Sequence, residues 1–346
     1  MLKNRIFVFT LIIGAAIVFT GGVLAAEQFG IFILPYRQPT VVPLEIVVAP
    51  ELADWAESTA ETFNQRNADA QITVQTISGL SHIQSSASSS RAEQPHVWIP
   101  EATFLAAYAQ KSGLPFAPAG QSLISTPLEW GAFGDRAAAL DEPLTWSAIH
   151  SAAQAGSWQT LGGDGSWGYF KLTIAAPRTD AEGIAALISA AASFHNSTNI
   201  DRTHVTDAAF LAWLRTIVQT VPSFNTLGPD PAQAMAARGP SVGDVGLLAA
   251  ASWARSQESL EKRDDFITQP TAHTVILDYP YLARVGLDSA EQDLADRFQT
   301  ALLQATDSLT ELGFTQQATR NAQSVEVDSN AIEALIQWVE RERIGG

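Results

Sequence analysis

The hydrophobic pattern opens with an uncharged apolar run over 6–26, placed directly behind the cations Lys3 and Arg5. A run of about 20 apolar residues is long enough to cross the hydrocarbon core of a bilayer. Cations ahead of such a run stay on the cytoplasmic side, which sends the rest of the chain outside. Small residues at the end of the run also suit signal peptidase. Residues 1–26 are therefore expected to be a signal peptide or a membrane anchor, followed by a proline-containing linker over 27–43.

Beyond this linker, apolar runs predict the order strand, helix, strand, helix, strand. Short β-branched or alternating runs predict strands at 44–49, 72–77 and 96–100. Apolar positions three or four residues apart predict helices over 52–63 and 103–110. Because parallel strands need crossover connections, this order predicts a parallel sheet with right-handed crossovers.

The second half of the chain continues the alternation of strands and helices. Strands are predicted at 170–176, 244–250 and 274–277, and a last amphipathic helix is predicted over 330–341. Two of the helices carry candidate capping residues, namely Thr179 with Glu182 and Ser289 with Gln292. The chain is therefore expected to be an α/β protein.

Extended crossings near Thr126 and His273 predict two lobes with a cleft between them. The strand at 274–277 needs a sheet to join, which suggests that the chain returns to its first half. Lobe 1 is accordingly predicted to comprise 44–126 plus 274–346, and lobe 2 to comprise 127–273. Each lobe is expected to be a mostly parallel sheet flanked by helices.

Polar and aromatic side chains in or beside the strand-end loops are the candidate ligand-binding residues. Ligands of open α/β sheets bind at the carboxyl ends of strands, where loops and helix N-termini converge. The residues selected on this basis are Glu51, Ser81, Trp98, Glu101, Thr179, Asp180, Asp244 and Tyr279. They offer carboxylates, hydroxyls and aromatic faces but few cations, which favours a neutral carbohydrate or a polyamine-like cation. For Trp98, a place in the core is an equally good interpretation.

Charge and composition exclude several classes of function. Removing 1–26 takes away Lys3 and Arg5, so 18 cations remain against 36 acidic residues. A net charge near −18 repels nucleic acid and anionic lipid. The chain has no cysteine, which excludes disulfides, thiolate catalysis and cysteine-bound metals. Its six histidines are scattered without helical metal spacing, so no metal or other cofactor is expected.

The short matches to known catalytic motifs are incomplete. Ser166 lacks the first glycine of a nucleophile elbow. Ser259 and Lys262 match a short Ser-x-x-Lys pattern, but no Lys-Thr-Gly follows and the segment is typical of a solvated helix end. There is no phosphate loop and no dinucleotide-binding fingerprint. No catalytic residue is therefore assigned, and the chain is expected not to be an enzyme.

Five segments together resemble a known family. They are Pro95–Glu101, Ser122–Pro127, Pro177–Gly183, Asp278–Tyr281 and Leu312–Phe314. In this order they resemble bacterial extracellular solute-binding proteins of the type II periplasmic-binding-protein-like fold. More narrowly, they resemble the group often associated with a von Willebrand factor A domain. The resemblance covers about 44–320 and implies two lobes, two hinge crossings and a ligand held between the lobes by closure.

The sequence departs from the oxyanion-binding members of this resemblance. Those proteins place hydroxyls and bare helix N-termini at the ligand, whereas the corresponding positions here carry Glu51, Glu101, Asp180 and Glu182. A carboxylate beside a helix N-terminus already occupies its positive end and repels a bound anion. A neutral polyol or a cation therefore fits the expected site better than molybdate or sulfate.

The resemblance and the export signal together predict an extracytoplasmic solute-binding protein. It would be secreted or anchored to the outer face of the cytoplasmic membrane. It would hand a small polar ligand to a membrane partner, such as a permease, or work beside a separate von Willebrand factor A-type protein. Two alternatives stay open. One is a membrane-anchored structural or signalling protein of the cell envelope that binds a neighbouring protein, and the other is an exported hydrolase.

Overall fold

The computed structural model describes residues 40–86, 90–140, 143–263, 265–316, 324–342 and 344. The predicted signal peptide or anchor over 1–26, and most of the linker, lie outside these residues. The chain divides at Val41 into two units, and the second begins with a strand at Val42. Regular structure therefore starts two residues earlier than expected. Within the described ranges, no helix combines the length and the apolar character needed to cross a bilayer.

Strands and helices are interspersed along the described chain. The strands are β1 (Val42–Val48), β2 (Ala70–Thr76), β3 (Val97–Ile99), β4 (Phe116–Pro118), β5 (Thr126–Phe133), β6 (Leu172–Thr173), β7 (Asn199–Ile200), β8 (Val245–Ala249), β9 (Phe266–Pro270), β10 (Ile276–Leu277), β11 (Leu282–Arg284) and β12 (Glu326–Val327). The helices are α1 (Ala53–Arg66), α2 (Gly79–Ser86), α3 (Thr103–Lys111), α4 (Gly134–Ala139), α5 (Trp146–Ala155), α6 (Ala181–His195), α7 (Arg202–Thr206), α8 (Ala208–Val218), α9 (Phe224–Leu227), α10 (Pro231–Arg238), α11 (Ala250–Arg263), α12 (Ser289–Gln304), α13 (Asp307–Thr310) and α14 (Ser329–Glu342). Short 3-10 turns occupy Pro50–Leu52, Arg91–Glu93, Gly165–Trp167 and Gly239–Ser241.

The first sheet has the strand order β2-β1-β3-β11-β4. Strand β1 lies between β2 and β3 and pairs in parallel with both, as its predicted crossover connections require. Its Leu44, Ile46 and Val48 are fully buried, as expected for apolar side chains that repeat every second residue on one face of a strand. Strand β11 returns from the second half of the chain and pairs antiparallel with β3 and β4.

The second sheet has the order β10-β5-β8-β6, and β9 also pairs with β5. Only the β6–β8 pair in this sheet is parallel in the described chain, so the expectation of a mostly parallel sheet in each lobe is wrong here. The reason lies in the connections between the sheets. Strand β5 carries the chain out of the first sheet, and β10 carries it back beside β5, so these two strands must run in opposite directions.

Two helices begin one residue away from the predicted capping residues. Helix α6 is capped by Asp180, whose carboxylate accepts a hydrogen bond from Glu182 N, rather than by Thr179. Helix α12 is capped by Asp288, with Glu291 completing the capping box, rather than by Ser289 and Gln292. An aspartate competes well for this position because its charge also complements the positive end of the helix.

The C-terminal segment contacts elements that belong to both halves of the chain. Strand β12 pairs in parallel with β7, and helix α14 packs against α7 and α3. The apolar face of α14 is buried through Ile332, Leu335 and Val339. The division into lobes at 126/127 and 273/274 stays a prediction, because the segment that follows β11 is shared between the two halves.

Candidate ligand-binding cleft

A cavity of about 640 Å³ opens between the two sheets, at the loops that follow their strands. A second cavity of about 230 Å³ adjoins it and shares the side chains of Pro50, Glu51 and Asp180. The polar residues of the larger cavity are Glu51, Ser78, Glu101, Thr179, Asp180 and Asn225. Its apolar residues include Pro50, Ala175, Ala176, Phe224, Pro229 and Pro231. The volume is enough for a small organic molecule.

The first sheet contributes two carboxylates to this cleft. Glu51 lies in the 3-10 turn that follows β1, and Glu101 lies two residues beyond the end of β3. Both carboxylate oxygens of Glu101 accept from Gly79 N, at 3.0 Å each, where α2 begins. A Cβ at Gly79 would collide with the Glu101 carboxylate, so the close approach requires glycine there.

The second sheet contributes the other two carboxylates, both at helix N-termini. Asp180 Oδ1 accepts from Glu182 N at 2.8 Å and so caps α6. Glu182 Oε1 accepts from Ala249 N and, at 3.0 Å, from Ser252 Oγ at the start of α11. Each acid is thus held in place by backbone donors and by the positive end of a helix.

Burial and mutual repulsion raise the pKa values of all four carboxyl groups. Burial, followed by the charge of Glu51, raises the pKa of Glu101 to about 8. Burial is also the main cause that raises the pKa of Glu182 to about 7. For Asp180, burial and then the neighbouring Glu182 raise the pKa well above its ordinary value. The pKa of Glu51 is raised as well, chiefly by burial. The cleft therefore disfavours four negative charges at once.

Glu51 carries the one carboxylate oxygen of this group that is buried without a hydrogen-bond partner in the described chain. The residue as a whole is partly exposed, but its Oε2 is inaccessible to solvent and accepts no hydrogen bond. Because buried polar atoms are normally paired, an unpartnered oxygen beside a cavity is a ready acceptor for a ligand donor.

Tyr279 and Arg255 complete the electrostatic surroundings of the cleft. Tyr279 is 1% exposed and has a φ of 33°, an unfavourable backbone conformation for a residue with a side chain. Its N–H donates to Glu101 O at 3.1 Å. Burial, and then the charges of Glu51 and Glu101, raise the pKa of Tyr279 well above its ordinary value. Arg255 lines the smaller cavity.

The structure brings four of the eight predicted ligand-binding residues onto the cavity: Glu51, Glu101, Thr179 and Asp180. Ser81 and Tyr279 lie beside it but do not line these two cavities. Ser81 Oγ is 2.9 Å from Ser78 Oγ, and Ser78 in turn donates to Thr179 O at 2.7 Å. Ser81 therefore supports a hydrogen bond that joins the loops of the two sheets.

Trp98 was expected to face the cleft, and the structure places it in the core instead. It is fully buried and packs against His82 and Phe116, with ring centroids 5.1 and 5.4 Å away. The physical reason is that β3 lies between β1 and β11, where both faces of the strand are covered.

Asp244 was also expected at the cleft, and it lies in a separate buried charge cluster. Its carboxylate accepts from Arg136 Nε at 3.1 Å and from Lys171 N at 2.8 Å. The guanidinium of Arg136 in turn stacks on Trp167, 3.5 Å from the ring centroid. Asp244 precedes β8 and so lies at the amino end of a strand, whereas ligands bind at carboxyl ends.

Sequence reasoning missed the loop that runs from α9 to α10, which supplies much of the apolar wall. Phe224, Asn225, Gly228 and Pro229 line the larger cavity, and Asp230 lines the smaller one. The clustering of glycine, prolines and aspartate over 228–231 marks a loop in the sequence. Nothing in that pattern indicates which cleft the loop would cover.

The carboxylates approach one another without forming a metal-binding arrangement. Across the described residues, no group of three or more histidine, cysteine, aspartate or glutamate side chains is placed so that it could hold a metal ion. What the cleft presents is a set of hydrogen-bond acceptors on both sides of a cavity with apolar walls.

Solved structures with a similar fold are those of periplasmic and transporter solute-binding proteins. The periplasmic binding protein AfuA from Actinobacillus pleuropneumoniae, with fructose-6-phosphate bound, has a TM-score of 0.55 and 15% identity, covering 86% of this chain and 98% of that one. A periplasmic thiamin binding protein has a TM-score of 0.60 and 14% identity, covering 88% and 97%. An ABC transporter solute-binding protein from Agrobacterium radiobacter K84, in complex with ribitol, has a TM-score of 0.57 and 11% identity, covering 80% of each chain. No family model and no curated protein sequence matches the chain.

These similarities define the fold of the protein. It is the two-lobe α/β fold of periplasmic solute-binding proteins, with helices flanking each sheet, as the sequence predicted. At identities of 11–15% the likeness is one of fold, and the ligands of the similar proteins remain their own.

Proposed function

We propose that the protein is an extracytoplasmic solute-binding protein that captures a small polar ligand between its lobes and hands it to a membrane partner. The observation that carries this proposal is the cleft itself, whose polar side chains come from strand-end loops of both sheets. A ligand that bridges such a cleft stabilises the closed arrangement, because it gains contacts with both halves only when they approach.

Two direct hydrogen bonds across the cleft support a closing motion. Ser78 Oγ donates to Thr179 O at 2.7 Å, and Gln84 Nε2 donates to Arg178 O at 3.3 Å. In both cases the donor follows β2 and the acceptor follows β6. These contacts are few, so opening disrupts only a small part of the structure. Closure around a ligand, without chemical change to it, suits a binding role better than a catalytic one.

The membrane partner and the location belong to the same proposal. The apolar run over 6–26 supports export and delivery at the cytoplasmic membrane, whether it is cleaved or retained. A permease is the partner that suits capture of a small solute. A separate von Willebrand factor A-type protein is the other partner that the sequence resemblance suggests.

The test is a ligand screen by thermal unfolding of the full-length protein. Sugars, polyols, amino acids, amines and oxyanions are each added over a concentration series. A cognate ligand at 100 times its Kd is expected to stabilise the native state by about 2.7 kcal/mol, with a Tm that rises with concentration. Small-angle scattering with that ligand is expected to show a smaller radius of gyration. If no compound of any class raises the Tm, the proposed function is wrong.

A further inference from the structure

The two cavities of the cleft are lined by an excess of acidic side chains over cationic ones. Arg255 is the single cationic residue that lines either cavity within the described chain. The acidic residues are Glu51, Glu101, Asp180, Glu182 and Asp230. An anionic ligand would meet repulsion from several of them at once, and a neutral one would leave that repulsion in place. A positively charged ligand would relieve it.

A second observation shows where such a ligand would bind. Glu51 Oε2 is buried beside both cavities and has no hydrogen-bond partner in the described residues. The other carboxylates already accept hydrogen bonds from backbone N–H groups. Among these carboxylates, Glu51 therefore offers the buried oxygen that lacks a partner in the described residues, and an N–H group of a ligand would satisfy it.

The remaining walls indicate that the cation has an organic body. Pro50, Ala175, Phe224, Pro229 and Pro231 form apolar surface around the carboxylates. A hydrated metal ion gains nothing from such walls, and the acidic groups in the described chain are not arranged as a metal site. Hydrocarbon joined to an ammonium group gains from both the apolar walls and the carboxylates.

We propose that the cleft binds a small organic ammonium ion and that binding releases protons from its carboxyl groups. This inference rests on the proposed solute-binding function and names the ligand class of the same site. The ammonium N–H groups lie against Glu51 and its acidic neighbours, while the carbon skeleton lies against the proline and phenylalanine side chains.

Proton release follows from the crowding of acids around the ligand. With pKa values of about 8 for Glu101 and about 7 for Glu182, the empty cleft retains protons near neutral pH. A bound cation stabilises the ionised carboxylates, lowers these pKa values and displaces the protons to solvent. The other titratable or charged groups that face the cluster are Glu51, Asp180, Tyr279, Asp230 and Arg255. Ammonium affinity is therefore expected to increase with pH.

The experiment is calorimetric titration of the full-length protein at pH 6.5 and pH 8.0. The ammonium probes, each with N–H donors, are putrescine, spermidine and ethanolamine, the neutral probes are ribitol and D-mannitol, and the anionic probes are sulfate and fructose-6-phosphate. At least one ammonium probe is expected to bind about tenfold more tightly, or better, at pH 8.0. Titration in two buffers of different ionisation enthalpy is expected to show proton release.

The outcomes separate this inference from the proposed function. Binding of a neutral or anionic probe, with the ammonium probes silent, overturns the ligand class and leaves the solute-binding function standing. Binding of Ca²⁺ or Mg²⁺ alone, tested as the chloride salts, overturns the organic ligand. Ammonium binding without proton release overturns the proposed coupling between ligand binding and deprotonation of the carboxyl groups. Silence of every probe contradicts this inference, whereas the solute-binding function is decided by the broader thermal screen.

A pair of variants tests the role of Glu51. Glu51→Gln is expected to weaken ammonium binding at least about tenfold, because one hydrogen bond to a charged group is lost. Its ligand-free Tm is expected not to fall, since Oε2 has no partner to lose and repulsion decreases. The control is Glu258→Gln, which removes one negative charge from an exposed position on α11. Equal weakening in both variants would show a general effect of net charge and overturn the site.

Discussion

Gly183 shows how a single residue holds the wall of the cleft in place. It is the third residue of α6, and it passes directly over the segment that follows β6. A Cβ at this position would collide with Ala175 O and lie 2.7 Å from Pro177 N. Both are backbone atoms next to the cavity wall, so neither can move without a cost in free energy. The absence of a side chain therefore sets the distance between the helix and the wall.

Gly183→Ala is accordingly expected to lower the free energy of unfolding by about 1–3 kcal/mol, the usual cost of overpacking. Urea denaturation followed by circular dichroism measures the change. Gly165→Ala is the matched control, because a Cβ there would lie 3.7 Å from the nearest side-chain atom of Gln159. That variant is expected to stay within about 0.5 kcal/mol of the parent. Equal effects in the two variants would contradict the close-packing argument.

Single residues also show how well ligand-binding positions can be predicted from the expectation that ligands bind at the carboxyl ends of strands. It selected Glu51, Glu101 and Asp180, which line the cavity, because the first two closely follow β1 and β3 and Asp180 lies in the longer loop after β6. Trp98 lies inside β3, so neighbouring strands and helices cover it. Asp244 lies at the wrong end of β8. The sequence could predict some of the loops that line the cavity, but it missed the loop from α9 to α10 and could not resolve shifts of two or three residues.

At the scale of elements, the Asp244 cluster joins three segments of the second sheet. Arg136 comes from α4, Lys171 directly precedes β6, and Asp244 precedes β8. The carboxylate is fully buried and lies 3.3 Å from Lys171 Nζ, besides its hydrogen bond from Arg136. Burial nevertheless raises the pKa of Asp244 above its ordinary value. The buried carboxylate is therefore held by its contacts with two cationic side chains.

Asp244→Asn is expected to destabilise the protein by about 3–5 kcal/mol, because the buried Arg136 loses its charge partner. The measurement is the urea midpoint and slope at pH 7. Asp69→Asn is the control, since it breaks an ion pair with Arg297 that lies largely at the surface. Such pairs contribute less than about 1 kcal/mol. If Asp244→Asn lowers the free energy of unfolding no more than Asp69→Asn does, the Asp244 cluster does not stabilise the packing of the three segments.

Whether a segment forms a strand or a helix was easier to predict from the sequence than the direction in which paired strands run. Repeated apolar spacing identified β1, β2 and the helices α1 and α3, since local periodicity reports which face is buried, but it did not predict α2. Strand direction in the second sheet depends on β5 and β10, which connect the two sheets. That pairing joins residues about 150 positions apart, and no local pattern specifies it. The alternation of strands and helices in the sequence therefore favoured a parallel arrangement.

At the scale of the whole molecule, closing the cleft brings like charges together from opposite sheets. Glu51 and Glu101 come from the first sheet, while Asp180 and Glu182 come from the second. In the absence of ligand, protons rather than cations relieve this repulsion. Stability of the empty protein and affinity for an ammonium ligand should therefore respond to pH in opposite directions.

The sign of the stability change follows from proton binding. Glu101 and Glu182, with folded-state pKa values of about 8 and about 7, bind protons more strongly when the protein is folded. Their contribution to stability is present below their unfolded pKa of about 4.5 and is lost as pH rises through 7 and 8. His82, whose pKa burial lowers to about 4, acts only below about pH 6.5. Burial also lowers the pKa values of His150 and His273, so their contributions likewise fade above about pH 6.5, and the window from pH 6.5 to 8.5 reports mainly on Glu101 and Glu182.

Across that window the Tm of the ligand-free protein is expected to fall, because the free energy of unfolding decreases by at most about 1.4 kcal/mol per pH unit for each group. Differential scanning calorimetry at intervals of half a unit measures it. Glu101→Gln is expected to flatten the slope, because the amide oxygen still accepts from Gly79 N but no longer titrates. Glu258→Gln should leave the slope unchanged. A Tm that stays level or rises would contradict the raised pKa values of Glu101 and Glu182, because carboxyl groups with ordinary pKa values would already be ionised at pH 6.5.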